Sequence, residues 1–279
     1  MKRFTIIAAA LLVLAAGCKS GDEQQKIADY TAATEQFMND YNAAAQKIQA
    51  DSTLTDEARM EALEKQYDET VSKFVEERIA IIKENPSGQL ALTVLKDVWN
   101  NLESEQQQEV LGYLKGAAAK DSTVLEYRAV IEKKAATAPG KMFTDFTVVQ
   151  DPDDAEASTV KFSDYVGKGK YVLVDFWASW CGPCKREIPN IAAVYEKYKG
   201  DDFDVLSVAV WDDPQATAEA AAEHGVVWNQ IVNAQRIPTE LYGIEGIPHI
   251  MLVGPDGIII KRDLRGENIE KAVAEALGR

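Results

Sequence analysis

The sequence predicts a helical half followed by an α/β half, and two observations carry that prediction. The first is punctuation. Between Lys19 and Ala138 there are four glycines and one proline, whereas from Pro139 to Arg279 there are twelve and eight. Few breaks suit long helices, and many suit short strands alternating with helices. The second is hydrophobic period. Apolar residues recur at three-four spacing in the first half and fall into short continuous runs in the second.

In chain order, the N-terminus comes first. Lys2 and Arg3 precede an uncharged, mostly apolar run, Phe4 to Ala16, that is too short to span a bilayer. The run ends in Leu14-Ala15-Ala16-Gly17-Cys18. Small residues before a lone cysteine resemble a bacterial lipoprotein signal, although Leu14 stands one position further from the cysteine than in the commonest pattern. Residues 1–17 are therefore expected to be a removed signal peptide, with Cys18 lipidated as the first mature residue. Acyl chains at about 0.8 kcal/mol per buried CH₂ would then anchor the protein to a membrane. Ordinary cleavage near Ala16 is the alternative. Either route leads out of the cytoplasm, to the cell envelope, where cytosolic thiol pools are missing. Residues 18–25 read as a polar tether.

The helical domain is expected over residues 26–138. Ile27, Tyr30, Thr34, Phe37, Met38, Tyr41, Ala45 and Ile48 form one stripe. Thr55 begins a second helix carrying Met60, Leu63, Tyr67, Val71, Phe74, Ile79 and Ile82, which stops at Asn85-Pro86. Ser87 would cap a third with Leu90, Val94, Leu95, Val98 and Trp99. Ser104 with Gln107, and Thr123 with Glu126, fit the capping box of two more. This half has neither cysteine nor histidine after Cys18, so its carboxylates read as solvated helix faces. The breaker-rich run Ala135 to Gly140 marks the boundary.

The α/β domain is expected over residues 139–279. Phe146–Val149 is a short strand. Tyr171–Phe176 and Asp204–Val210 are buried-type strands. Ile250–Val253 and Ile258–Lys261 form a hairpin across Gly254-Pro255-Asp256-Gly257. Helices are expected over Cys184–Tyr198, Pro214–His224 and Glu267–Leu277.

Composition narrows the chemistry. A net charge of -15 repels a phosphate backbone, so nucleic acid is not an expected partner. Three cysteines cannot build a disulfide framework. Two of them stand together in Trp180-Cys181-Gly182-Pro183-Cys184, between a buried strand and its helix. The helix N-terminus favours a thiolate at Cys181. Cys184, one turn in, can attack a mixed disulfide formed at Cys181. A metal site would need ligands beyond this pair, with His224 and His249 the only histidines, so no metal or other cofactor is expected.

The segment Val174 to Lys185 resembles the active site of thioredoxins, and residues 139–279 resemble the extracytoplasmic TlpA/ResA-like thioredoxin family. That resemblance implies a thioredoxin-like fold and a thiol:disulfide oxidoreductase, with an all-α domain in front. Lys141 to Phe146 is similar to the family's opening strand. Asp175 matches thioredoxin's buried aspartate and is implied as proton acceptor, the alternative being a surface carboxylate. Glu187 matches the family's acidic residue near the cysteines, the alternative being a solvated helix charge. Tyr242 to Pro248 resembles the segment that ends in a cis-proline, which leaves Ile247 to pair with an extended client. Trp177 is implied in packing and Trp180 at the rim, against substrate. His249 departs from the family's usual threonine, as a pH-tuning group or as a structural one.

The Gly-Pro pair between the cysteines is that of thioredoxin, at about -270 mV, far below the about -120 mV of the oxidant DsbA. A reductant or isomerase is therefore predicted. Its clients would be oxidised proteins and its electron donor a membrane thiol relay of the DsbD/CcdA type. Thiol peroxidation is one alternative function. Copper(I) handling or partner binding without turnover is another.

Overall fold

The computed structural model describes residues 20–279, with side chains from residue 22. The signal peptide over 1–17 and the lipidation of Cys18 lie outside the described residues. The chain divides into two compact units, the first ending at Arg128 and the second spanning Ala129–Arg279.

The first unit holds α1 (Ser20–Gln49), α2 (Asp56–Glu84), α3 (Gln89–Val98), α4 (Ser104–Tyr113) and the start of α5 (Ser122–Ala136). The tether reading of 18–25 is corrected from Ser20 onward, where α1 already begins. Asp22 and Glu23 sit in its first turn, where the helix dipole favours carboxylates. The Glu23 carboxylate also accepts from the Leu90 amide at 3.3 Å, a partner 67 residues away. That contact caps α3, whose N-cap is Gly88 and not Ser87. Thr55 caps α2 as expected, accepting from the Ala58 amide at 3.2 Å. The fourth helix uses Glu103 and Gln106 as its capping box, one residue before the expected pair. Gln107 is instead buried, donating to the Trp99 carbonyl.

The core of this unit gathers Ile82, Leu90, Val94, Leu95, Val98, Trp99 and Val110. Trp99 stacks on Tyr127 with ring centroids 3.8 Å apart. One buried position of α2 is charged. Arg78 is held by Thr34 and Glu77 and lies 3.8 Å from the centre of the Phe74 ring, with Phe37 and Tyr30 close by.

The second unit begins with the last turns of α5, so the compact unit reaches ten residues further back than the expected domain start at 139. The helix runs unbroken into the small-residue stretch, and its end is tied to later parts of the same unit. Lys134 pairs with Glu245 at 2.6 Å, and Thr137 accepts from Arg262. Gly243, at φ +63, closes against the Val130 carbonyl, where a Cβ would stand only 2.8 Å away.

Next come β1 (Thr147–Val149), α6 (Ala155–Ser158) and β2 (Thr159–Lys161), the two strands pairing antiparallel. The central sheet contains β3 (Tyr171–Trp177), β4 (Phe203–Ala209), β5 (Asn229–Ile231), β6 (His249–Val253) and β7 (Ile259–Lys261), in the order β5-β4-β3-β6-β7. The β5-β4-β3 pairs are parallel and the β3-β6-β7 pairs antiparallel. The helices are α7 (Gly182–Tyr198), α8 (Pro214–Glu223), α9 (Ile237–Tyr242) and α10 (Glu267–Leu277). This is the expected thioredoxin-like α/β arrangement, preceded by helices.

Strand period assigns the two faces. Leu173, Trp177, Val205, Ile250 and Leu252 belong to one buried cluster, with Ile188, Ile191 and Val194 of α7 and Ile269 and Val273 of α10. Val172, Val174, Phe176, Leu206, Val208 and Met251 belong to the other, with Phe146, Phe162 and Tyr242. The first of these β3 sets has odd numbers and the second even ones. Asp175 therefore projects toward α7, and His249, opposite Phe176 in the register, projects to the other side.

Candidate active site

The site is built where β3 hands over to α7. Cys181 is the N-cap of α7, and its sulfur accepts from the Cys184 amide at 3.1 Å. An N-cap position faces the unpaired N–H groups of the first turn, which stabilise a thiolate when the pair is reduced. Pro183 lies in that first turn, where its missing N–H costs least. In the structure the two cysteines form a disulfide, with Cα atoms 5.2 Å apart. Both are buried, and both belong to the cluster on the α7 side of the sheet.

The segment before β6 closes over them. The Ile247–Pro248 peptide is cis, and the Ile247 carbonyl oxygen lies 3.7 Å from Cys181 Sγ. Ile247 stands outside the sheet ladder and is only partly buried. Its backbone is placed to pair with an extended chain beside the cysteines. Trp180 is 59% exposed, and its indole N–H donates to the Trp211 carbonyl at 3.0 Å. Trp211 in turn borders an open cavity of about 500 Å³ lined also by Gln235, Arg236, Ile237 and Glu240. Trp177 is fully buried, as packing requires.

Asp175 is 2% exposed. Ser207 donates to its Oδ2 at 3.5 Å, and Oδ1 has no hydrogen-bond partner among the described residues. Burial pushes its pKa up to about 7, against the pull of Ser207 and the Arg265 guanidinium. The charge of Glu187 adds to the upward push. A carboxyl that titrates near neutrality, buried on the sheet face that packs against the cysteine helix, suits proton exchange with a thiol. Glu187 is half-buried on α7. Its Oε2 accepts from Asn190 Nδ2 at 2.8 Å and from the Gly266 amide at 3.1 Å. It thus joins the cysteine helix to the start of α10.

Sequence reasoning missed three groups around this site. Arg265 donates to the Pro248 carbonyl and its charge acts on Asp175. Asp212 accepts from the amide and the hydroxyl of Ser179, at 2.6 and 2.8 Å, and so fixes the loop that carries Trp180. Ser207 is the third, directly across from Asp175 in the register. None stands in a motif. Each joins the segments around the site through a strand pairing or loop contact between residues 17 to 33 positions apart. Among the described residues no group of three or more His, Cys, Asp or Glu side chains is placed to hold a metal ion.

Residues 139–262 match the model of the AhpC/TSA family. Among curated proteins, the chain is 30% identical over 136 residues to the thiol-disulfide oxidoreductase ResA of Geobacillus thermodenitrificans. That match covers 48% of this chain and 74% of the relative. ResA of Bacillus subtilis is 27% identical over 135 residues, covering 48% and 72%. Among solved structures, the thioredoxin domain of a thiol-disulfide oxidoreductase from Bacteroides vulgatus is 31% identical, covering 50% of this chain and 96% of that one, with a TM-score of 0.44. A disulfide interchange protein DsbE from Chlorobium tepidum is 27% identical, covering 50% and 99%, with a TM-score of 0.43. The chain therefore belongs to the ResA family of thioredoxin-like thiol-disulfide oxidoreductases, and it is an enzyme of that class.

Proposed function

We propose that this protein works outside the cytoplasm as a reductant or isomerase of protein disulfides, through the Cys181/Cys184 pair. The observation that carries the reading is the oxidised pair at the N-terminus of α7, facing the cis Ile247–Pro248 peptide. In the reduced enzyme, the Cys181 thiolate attacks a client disulfide and one client sulfur leaves as a thiolate. The Cys184 thiol gives its proton to Asp175 and attacks the Cys181 sulfur of the mixed disulfide. The second client sulfur then leaves, so the client gains two electrons and the pair becomes the disulfide seen here. Ile247 and Trp180 would hold the client chain during the exchange.

The cycle requires a dithiol donor to reduce the pair again. A membrane relay of the DsbD/CcdA type supplies that chemistry to an enzyme in the cell envelope. Lipidated Cys18 would hold the protein at the membrane, since no helix among the described residues is long and apolar enough to cross one. The test is a Cys184→Ala variant expressed in intact cells. It should accumulate mixed disulfides through Cys181, and their absence would sink the exchange mechanism. A measured potential near that of DsbA would refute the direction.

The AhpC/TSA match gives peroxide reduction a specific footing as the second reading. Peroxide consumption faster than insulin reduction, by the same reduced protein, would favour it.

A further inference from the structure

His249 comes directly after the cis-proline yet points away from the cysteines. It is 5% exposed. Its Nδ1 lies 2.8 Å from Asp263 Oδ1, and its Nε2 accepts from Arg262 Nε at 3.2 Å. These two partners fix one tautomer. Asp263 requires the N–H at Nδ1, which leaves the lone pair at Nε2 for the guanidinium. Arg262 spends its remaining donors on backbone and hydroxyl oxygens. Nη1 donates to the Thr137 carbonyl at 3.1 Å and to its hydroxyl at 2.6 Å, and Nη2 donates to the Tyr242 carbonyl at 2.9 Å. Thr137 is fully buried. A single guanidinium thus joins the chain after α5, the end of α9 and the imidazole beside Pro248. Arg265, three residues on, holds the Pro248 carbonyl itself.

We propose that His249 is a positioning residue, which with Arg262 and Thr137 fixes the Ile247–Pro248 backbone that receives the client. The proposal rests on the disulfide-exchange reading above. It also extends the functional unit back to Thr137, before the first residue matched by the family model.

The bonding makes this latch sensitive to pH. A protonated ring carries an N–H at Nε2 as well, so it can no longer accept from Arg262, and two cations then stand side by side. The charged groups facing the ring are Arg262, Asp263 and Arg265, all on the β7–α10 connection. Phe176 of β3 faces it as an uncharged ring at 6.0 Å. Burial holds the imidazole's pKa below its ordinary value, and Asp263 opposes that pull. The neutral ring is therefore the favoured form, and the latch opens on acidification.

The test uses the full chain, with reduction of insulin as the readout. His249→Phe should raise KM for insulin about tenfold, a loss of about 1.4 kcal/mol in client binding, with kcat changed by less than about twofold. His249→Gln, which can donate to Asp263 and accept from Arg262, should restore KM. Only the wild type should show KM rising as pH falls. An unchanged KM and pH profile in His249→Phe would overturn the proposal, as would a fall in kcat equal to the rise in KM. Amide exchange at Ile247 reads the same backbone without turnover and should quicken about tenfold in His249→Phe. If the wild type turns over no protein disulfide, the exchange reading fails. The amide measurement then decides the positioning claim alone, and unchanged exchange refutes it.

Discussion

Each unit buries a charged side chain, and the two are treated differently. Arg78 of α2 lies in a box of aromatic rings, with Thr34 and Glu77 on its terminal nitrogens. A guanidinium stays charged in proteins, so that site is built around a permanent cation. Asp175 of β3 has one long hydrogen bond and, among the described residues, an oxygen with none. A carboxyl so placed is held back from ionising. The contrast separates a charge buried for cohesion from one buried for proton exchange. It also matches where the cysteines are, on the sheet face toward which Asp175 projects.

The comparison can be broken most severely at the cysteines. Cys181→Ala should reduce disulfide turnover to background and leave the thermal unfolding of the helical unit unchanged. Insulin reduction and circular dichroism measure the two. A residual rate above background would remove Cys181 from its role as the attacking group.

Asp175→Asn comes next. The wild-type carboxyl titrates at about 7 in the fold and near 3.9 when unfolded. Between those values the unfolded chain ionises while the folded one holds its proton, so stability falls as pH rises through that window. The amide removes this penalty. It should stabilise the protein by on the order of 4 kcal/mol at pH 8 and by nothing below pH 4. Turnover should fall roughly a hundredfold and lose its rise through pH 7. Denaturant melts at the two pH values, with rates alongside, decide it. Equal melts at both would show a carboxylate that ionises freely.

Arg78→Met should do the reverse. We expect about 2–3 kcal/mol of destabilisation, from lost cation–π contacts and packing, with the same value at pH 5 and pH 8. Turnover per folded molecule should hold. A change in the exchange rate would contradict a purely cohesive role. The smallest effect is Thr55→Ala, which removes the cap of α2 at a cost of about 1 kcal/mol. A chemical melt resolves that loss, and no rate should move.

Much of the second unit was legible in the sequence, for local reasons. The run Tyr171–Phe176 is the strand it suggests, longer by Trp177, because both of its faces are covered. The closing helix spans Glu267–Leu277 as its period suggests. The short elements β2, β5 and α9 were not legible, since three to six residues carry no period. The cysteine helix also continues through Pro189, which local propensity disfavours, and its buried Ile188, Ile191 and Val194 outweigh that cost. In the first unit the stripes were legible but not the charge within one of them. Arg78 occupies a buried position of α2 that an apolar pattern would assign to a hydrocarbon. The helical start at Ser20 was hidden too, because seven polar residues read as a tether until Glu23 finds Leu90.

By itself the sequence determined the helical first half, the two long buried strands with their helices and the redox pair, and its resemblance to thioredoxins implied the aspartate before that pair and the proline across from it. Those features are encoded in period, spacing and a short motif, all of them local in the chain. Only the tertiary structure decided that Asp175 keeps an oxygen unpartnered among the described residues, that Arg265 grips the cis-proline segment, and that His249 is latched through Arg262 to Thr137. The last of these contacts joins residues 125 positions apart. Burial and partner identity at such separations depend on how strands and loops assemble, and no short stretch of sequence carries that information.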